Sequence, residues 1–424
     1  MDRQLADPAQ DGVGGVLARH RTLVAVCLAL LLQTIVFSLV YPNLWYGPHD
    51  ISDITIYFAY AAKIASGLRP YKDFAIEYPP LAVPLFTVAG NGIDFASYQR
   101  WFSFEMFVFT LASAAAVVAA AAAIWRSGAR PFAAAVSFAL FTAAMGAIVE
   151  NRFDIAVGFF FVALCIWLLA VKEYELAGLV LGLGFAVKLT PAVLLPVVLL
   201  LAGWNRRALW TLVLFGLAAI LPFVPWLIVA PSGVEHSFLY HLDRPLQIES
   251  VLGTPLFVAH LLGRLWIDVG SSFGSQSIDA DGAALMARLS GPLTLLALGL
   301  TYALVARRRA LLRAAPRHLP LAVFATACAF MVFGKVLSPQ YFIWLLPAAA
   351  LLLLDDLLVG VLALLTVALT QVGFPGLYWD LVYLERPAIL VLLVRDALLV
   401  ATFVVALVRL WRLAPAAQGG ESTG

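Results

Sequence analysis

Charge is what this chain has little of. Only 12% of its 424 residues are Asp, Glu, Lys or Arg, while 63% are hydrophobic and the mean hydropathy is +0.94. That composition excludes an ordinary soluble globule, whose core needs far less apolar sequence. Cysteine is scarcer still. Cys27, Cys165 and Cys328 all fall inside apolar runs with no paired spacing, so neither a disulfide framework nor a zinc site is suggested, and the three read as small buried hydrophobes. His236 and His241 do not have the spacing of metal ligands, so no His-ligated metal is expected. There is no strong internal repeat, no low-complexity tract beyond the Ala-rich stretch 112–123, and no polar region large enough to fold as a separate soluble domain. No nucleic-acid partner is expected.

Long apolar runs are what the chain does have. They occur near 22–41, 103–124, 131–149, 155–171, 176–187, 191–203, 208–230, 291–306, 319–334, 339–354, 357–374 and 388–408, about twelve segments, many approaching the roughly 20 residues that cross a bilayer. The first run is too long for a signal peptide, and the aromatic flank Tyr41-Pro-Asn-Leu-Trp45-Tyr46 stands where a small-residue cleavage site would be. The runs 176–187 and 191–203 are short for a crossing and are joined by Lys188-Leu-Thr-Pro191, so they read as half-helices meeting at a polar break. The chain is therefore an all-α polytopic membrane protein.

If the spans alternate, most basic residues share one side: Arg19, Arg21, Arg126, Arg130, Lys172, Arg206, Arg207, Arg307 to Arg309, Arg313, Arg317, Arg409 and Arg412. That side is cytoplasmic. The expected organisation is a cytoplasmic N-terminal tail 1–21, a single transmembrane domain 22–412 and a disordered tail 413–424. Loops 42–102 and 231–290, the turn Glu150 to Asp154 and the segment Lys335 to Tyr341 then face outward. Within the first loop Ile54, Tyr57, Phe58, Ala61, Ile64 and Ala65 recur at helical spacing, which suits an amphipathic helix on the outer membrane surface.

Chemistry-bearing residues gather on that outer face. Asp50 and Asp53 lie three apart where the loop enters the predicted helix; Asp53 can serve as an N-cap or, pressed against the membrane face, as a proton acceptor. Tyr71 and Glu77-Tyr78-Pro79-Pro80 form either a rigid polar-aromatic edge for a sugar or a simple re-entry turn. Lys188, with Thr190 and Pro191, places an ammonium and a hydroxyl at the start of the second half-helix, as an anion site requires; snorkelling to the interface is the alternative. Asn151 and Asp154 sit in a turn whose charges could simply pair in water, His241 and Arg244 could meet a phosphate, and Lys335 combines with Gln340 and Tyr341.

These blocks carry a resemblance. The register of Asp53, Tyr57, Gly67, Pro70-Tyr71, Tyr78 and Pro80-Leu81 resembles the first luminal loop of the GPI mannosyltransferase I family, and Lys335-Val-x-Ser338-x-Gln340-Tyr341-Phe342-x-Trp344 resembles a second block of it. Ala177-Gly178…Gly182…Lys188-x-x-Pro191 is similar to bacterial polyprenol-phosphate-mannose-dependent transferases of phosphatidylinositol mannoside synthesis. The resemblance implies a C-type glycosyltransferase fold and transfer of a hexose, mannose above all, from a polyprenyl-phosphate donor to a lipid or glycan acceptor outside the cytoplasm, with inversion. It makes Asp53 the general base, Lys188, Arg244 and Lys335 the phosphate partners, and Tyr57, Tyr71, Glu77, Tyr78, Asn151, Asp154, His241, Gln340 and Tyr341 the sugar and acceptor contacts. Where the eukaryotic family carries acid-x-acid, Ile51 stands here at the first acidic position and Asp50 one residue earlier, so only Asp53 transfers. No cofactor is implied; a divalent metal is left open. The Ala/Leu/Val-rich, Lys-poor composition suits a GC-rich bacterial genome, which would place the site on the outer face of the plasma membrane.

Two other classes are compatible with a polytopic chain. A secondary transporter or lipid flippase would show inverted repeats and mid-membrane charges, and a ligase or polymerase of undecaprenyl-linked glycans would carry more arginine than Arg244, Arg264 and Arg288 in its large outer loop. The sidedness has a direct test. A cysteine introduced at Ser66 or Ser271 in a cysteine-free background should react with an impermeant maleimide on intact cells, whereas labelling only after permeabilisation would invert the topology.

Overall fold

A computed structural model describes residues 8–47, 49–90, 92–125 and 128–413, with side chains from His20 onward. The helices in chain order are α1 (Pro8–Ile35), α2 (Ile54–Ala65), α3 (Ala82–Val88), α4 (Phe95–Trp125), α5 (Arg130–Met145), α6 (Asp154–Gly158), α7 (Leu164–Ala170), α8 (Tyr174–Val187), α9 (Leu195–Ala202) and α10 (Arg206–Ile220). They continue as α11 (Val224–Val229), α12 (Pro231–Asp243), α13 (Thr254–Leu261), α14 (Ala283–Ala314), α15 (Leu319–Val332), α16 (Leu346–Asp355), α17 (Leu357–Gln371), α18 (Tyr378–Val382) and α19 (Arg386–Arg412). Proline opens many of them, as at α5, α9, α12, α15, α16 and α19, because its missing N–H is unpaired in a first turn anyway. Asn205 caps α10 through its side chain, accepting from the Arg207 and Ala208 N–H groups at 2.8 and 3.3 Å.

Among the described residues seven helices are long and apolar enough to cross a membrane: His20–Asn43, Phe95–Trp125, Arg130–Val149, Arg206–Val229, Ala283–Ala314, Leu357–Gly376 and Arg386–Arg412. The remaining apolar runs fold as shorter helices, including Asp154–Ala170, Tyr174–Val187 and Thr190–Ala202, so about twelve segments form helices but twelve full crossings are not confirmed. The break between α8 and the segment that follows lies at Lys188, whose backbone is extended.

The protein is predominantly helical, as expected, with one short addition: β1 (Asp268–Ser272) and β2 (Ser275–Asp279) form an antiparallel hairpin, and the Leu246 carbonyl and Ile248 N–H pair alongside β2. The turn residues Phe273 and Gly274 between the strands have positive φ, which lets the chain reverse within two residues. The apolar side of α2 faces protein, with Ile54, Tyr57 and Ala61 buried against α3 and α4, rather than being free to lie on lipid. Part of the expected N-terminal tail is helical, since α1 begins at Pro8; residues 1–7 and the tail beyond Leu413 lie outside the described residues. Of the cysteines, Cys165 and Cys328 are buried and Cys27 is exposed, and all three are free.

Among the described residues α8 and α10 pack the most extensively of any helix pair. Gly178 and Gly182, four apart, let the backbones touch: a Cβ at either would sit 2.4 Å from a carbonyl oxygen of α10, that of Thr211 or Phe215. Gly182→Val should therefore cost about 1–3 kcal/mol and lower the thermal midpoint in detergent. Gly216→Val, whose Cβ would meet nothing within 4 Å, is the control expected to melt near wild type.

Candidate active site

A polar cavity of about 130 Å³ forms where the first turn of α2, the loop 77–78, the turn before α6, the break at Lys188, the end of α12, the hairpin tip, the segment 338–341 and the residues around Phe374 and Tyr378 converge. The small hydrophobic cluster of Leu246, Ile248, Phe257, Ile278 and Ile389 fixes one wall to α19. Tyr57, fully buried and stacked on Phe86 at 4.6 Å beside Phe153, anchors the opposite wall.

Asp53 starts α2 with its backbone, whose carbonyl accepts from the Ile56 and Tyr57 N–H groups at 2.9 and 3.1 Å, but its side chain caps nothing. Instead Oδ2 lies 3.0 Å from Arg152 Nε, and the Tyr57 hydroxyl approaches the same oxygen at 3.4 Å. Arg152 is itself 3% exposed. Its Nη1 donates to the Asn151 carbonyl and Oδ1, each at 3.1 Å, and its Nη2 to the Ile51 carbonyl at 3.1 Å.

The turn Glu150 to Asp154 is buried, which overturns the picture of charges pairing in water. Asp154 reaches across to Lys188, with Oδ1 2.7 Å from Nζ, and the same oxygen accepts from Trp344 Nε1 at 2.8 Å. Three rings enclose the ammonium: Phe153, Tyr341 and Trp344 have centroids 5.0, 4.9 and 5.1 Å away. Asp154 lies 34 residues from Lys188 in sequence, and only folding joins them. Burial pushes the Asp154 carboxyl up, and Lys188 pulls it back.

Arg244 is placed differently. Its Nη2 donates to Ser275 Oγ at 2.8 Å, its Nε is buried with no hydrogen-bond partner, and among the described residues no carboxylate oxygen comes within 4.0 Å. Beside it, Glu77 accepts from the Tyr60 hydroxyl, and the Glu77 carbonyl lies 3.1 Å from His241 Nε2. Burial pushes the His241 imidazole down to about 4, so it is neutral at physiological pH and can donate that hydrogen bond. Glu249, 4% exposed, is pushed by burial up to about 8 and is therefore mostly protonated at neutral pH.

Of the residues picked out in the sequence, Asp53, Glu77, Tyr78, Lys188, His241, Arg244, Gln340 and Tyr341 line this cavity. The others do not. Asp50 folds back, its Oδ2 accepting from the Gly47 N–H at 2.8 Å. Tyr71 is buried against Trp226, with its hydroxyl on the Tyr78 carbonyl at 2.6 Å. Tyr57, Asn151 and Asp154 lie behind the wall, and Lys335 donates to the Leu242 carbonyl. Sequence reasoning missed Arg152, Tyr240, Gln247, Glu249, Phe374 and Tyr378 as lining residues. Arg152 and Glu249 were legible as charges between apolar runs, but the strip around Phe374 and Tyr378 follows an apolar run and carries no comparable signal. Among the described residues no group of three His, Cys, Asp or Glu side chains could hold a metal.

Comparison with known proteins adds a lineage to this geometry. The family model described as Glycosyltransferase family 87 matches residues 76–339, a range that takes in Glu77, Lys188, Arg244 and Lys335 and begins after Asp53. Over 195 residues the chain is 26% identical to GPI mannosyltransferase 1 of Kluyveromyces lactis, covering 44% of this chain and 44% of that relative's length. ArnT from Cupriavidus metallidurans, solved bound to undecaprenyl phosphate, is similar at a TM-score of 0.48 and 15% identity over 91% of this chain and 76% of that one. The Archaeoglobus fulgidus oligosaccharyltransferase, solved with Zn and sulfate, is similar at 0.42 and 15% over 88% and 53%.

The caged ion pair yields a stability prediction. Lys188→Met leaves Asp154 buried without its cation and should cost about 3–5 kcal/mol, while adding Asp154→Leu should recover most of that loss. Thermal unfolding of the two variants checks it; a single variant as stable as wild type would mean the pair carries no weight.

Proposed function

The chain belongs to glycosyltransferase family 87, and from that premise we propose that it moves a hexose, with mannose the first choice, from a polyprenyl-phosphate donor to a lipid or glycan acceptor. The transfer takes place at the extracytoplasmic face of the plasma membrane, as a single inverting displacement. The observation that carries this reading is the composition of the cavity: a carboxylate, Asp53, shares it with Arg244, a half-buried guanidinium whose Nε is buried without a hydrogen-bond partner and which, among the described residues, has no carboxylate oxygen within 4.0 Å. A lipid phosphate would supply that partner.

The chemistry divides between the two. A polyprenyl phosphate leaves as an anion and needs cations rather than a proton donor, whereas the acceptor hydroxyl needs a base as it attacks the anomeric carbon. Both protein contacts of Asp53 fall on Oδ2, so Oδ1 is the oxygen that takes the acceptor's proton. Arg244 Nε binds the phosphate first, and Lys188 acts as a second cation already half neutralised by Asp154. Glu77, Gln340 and the neutral His241 contact sugar and acceptor hydroxyls, with Tyr78, Tyr240 and Tyr341 as stacking surfaces. These cations supply charge neutralisation to the leaving phosphate. The arginine-rich opposite side supports the outward placement.

Membranes containing the protein, given radiolabelled polyprenyl-phosphate mannose, should transfer label into membrane lipid or glycan. Asp53→Asn should lower that transfer by about 10²–10⁴-fold, with Asp50→Asn much milder. Turnover near wild type in the Asp53 variant would remove it from the mechanism.

A further inference from the structure

Arg152 touches Asp53 in an unusual way. Its Nη1 and Nη2 are held by Asn151 and the Ile51 carbonyl, yet Nε, 3.0 Å from the carboxylate, makes no aligned hydrogen bond. The guanidinium is thus fixed by backbone and amide, not by the acid it faces, and it lines the same cavity as Arg244. Such a cation can change its anionic partner without moving its anchors.

We infer that Arg152 is handed from Asp53 to the leaving phosphate during the reaction, a step that rests on the lipid-phosphate donor reading above. The acceptor O–H gives its proton to Asp53 Oδ1, the acceptor oxygen bonds to the anomeric carbon, and the bond from that carbon to the phosphate oxygen breaks with its electron pair going to the phosphate. Asp53 loses one negative charge as the phosphate gains one, going from a diester to a monoester. The net charge around Arg152 is unchanged. Of the other charged groups in the cavity, Lys188 is held by Asp154, Glu77 accepts from the Tyr60 hydroxyl, and Glu249 is buried, with its backbone carbonyl accepting from Arg395 Nη2 at 2.7 Å. Arg152 is therefore a positioning residue for the base in the resting site and a phosphate ligand once the base is protonated, so the leaving anion gains a cation only as the bond breaks.

The test uses the full-length protein in detergent and undecaprenyl phosphate as the probe, with affinities from native mass spectrometry. Asp53→Asn imitates the protonated base and should bind the probe about tenfold more tightly than wild type. In an Arg152→Gln background, where the double variant leaves neither charge unpaired, the same Asp53→Asn change should alter affinity less than about twofold; Arg152→Lys should keep part of the gain. Equal tightening in both backgrounds would reduce the effect to removal of a like charge and overturn the hand-over, as would no tightening at all. Failure of every form, wild type included, to bind undecaprenyl phosphate would overturn the donor reading and the hand-over with it.

Discussion

A charge buried among apolar helices costs far more alone than paired, and the polar end of this protein is arranged around that constraint. Asp154 has Lys188, and Asp53 has Arg152. Deeper in, Arg395 and Asp396 are both buried and lie 2.8 Å apart, with Thr254 on the free carboxylate oxygen. Glu249 meets the constraint differently, by holding its proton. Arg244 differs from these pairs: among the described residues no carboxylate oxygen lies within 4.0 Å of its guanidinium, and a lipid phosphate is the partner proposed for it.

The pairing also explains the interrupted helices. Lys188 occupies an extended residue between α8 and the following helical segment, and Asp154 opens α6, so each partner comes from an end where backbone is free to turn. Glycines at 178 and 182 let α8 approach α10 closely. Short helices that would cross a bilayer poorly thus bring the polar residues of distant segments into one cavity.

Much of this was legible in the sequence, for physical reasons that differ from residue to residue. Apolar runs and prolines marked the helices, because hydropathy and missing N–H groups act locally. Lys188 was conspicuous as an ammonium in hydrocarbon, but its partner was invisible, since an ion pair across 34 residues leaves no periodic trace. Asp53 read equally as a cap or a base; the fold removes the cap by turning its carboxylate to Arg152. The hairpin was missed because Asp268 to Asp279 is polar and short, and its strands are held by one another and by residues 246–248 rather than by an alternating apolar face.

The central claim is that this cavity holds a lipid phosphate. The most direct measurement is an experimental structure of the protein with undecaprenyl phosphate bound. The account predicts the phosphate within hydrogen-bond reach of Arg244 Nε, in the cavity shared with Asp53. A phosphate seated away from that cavity, or on the face carrying the arginine clusters, would contradict it.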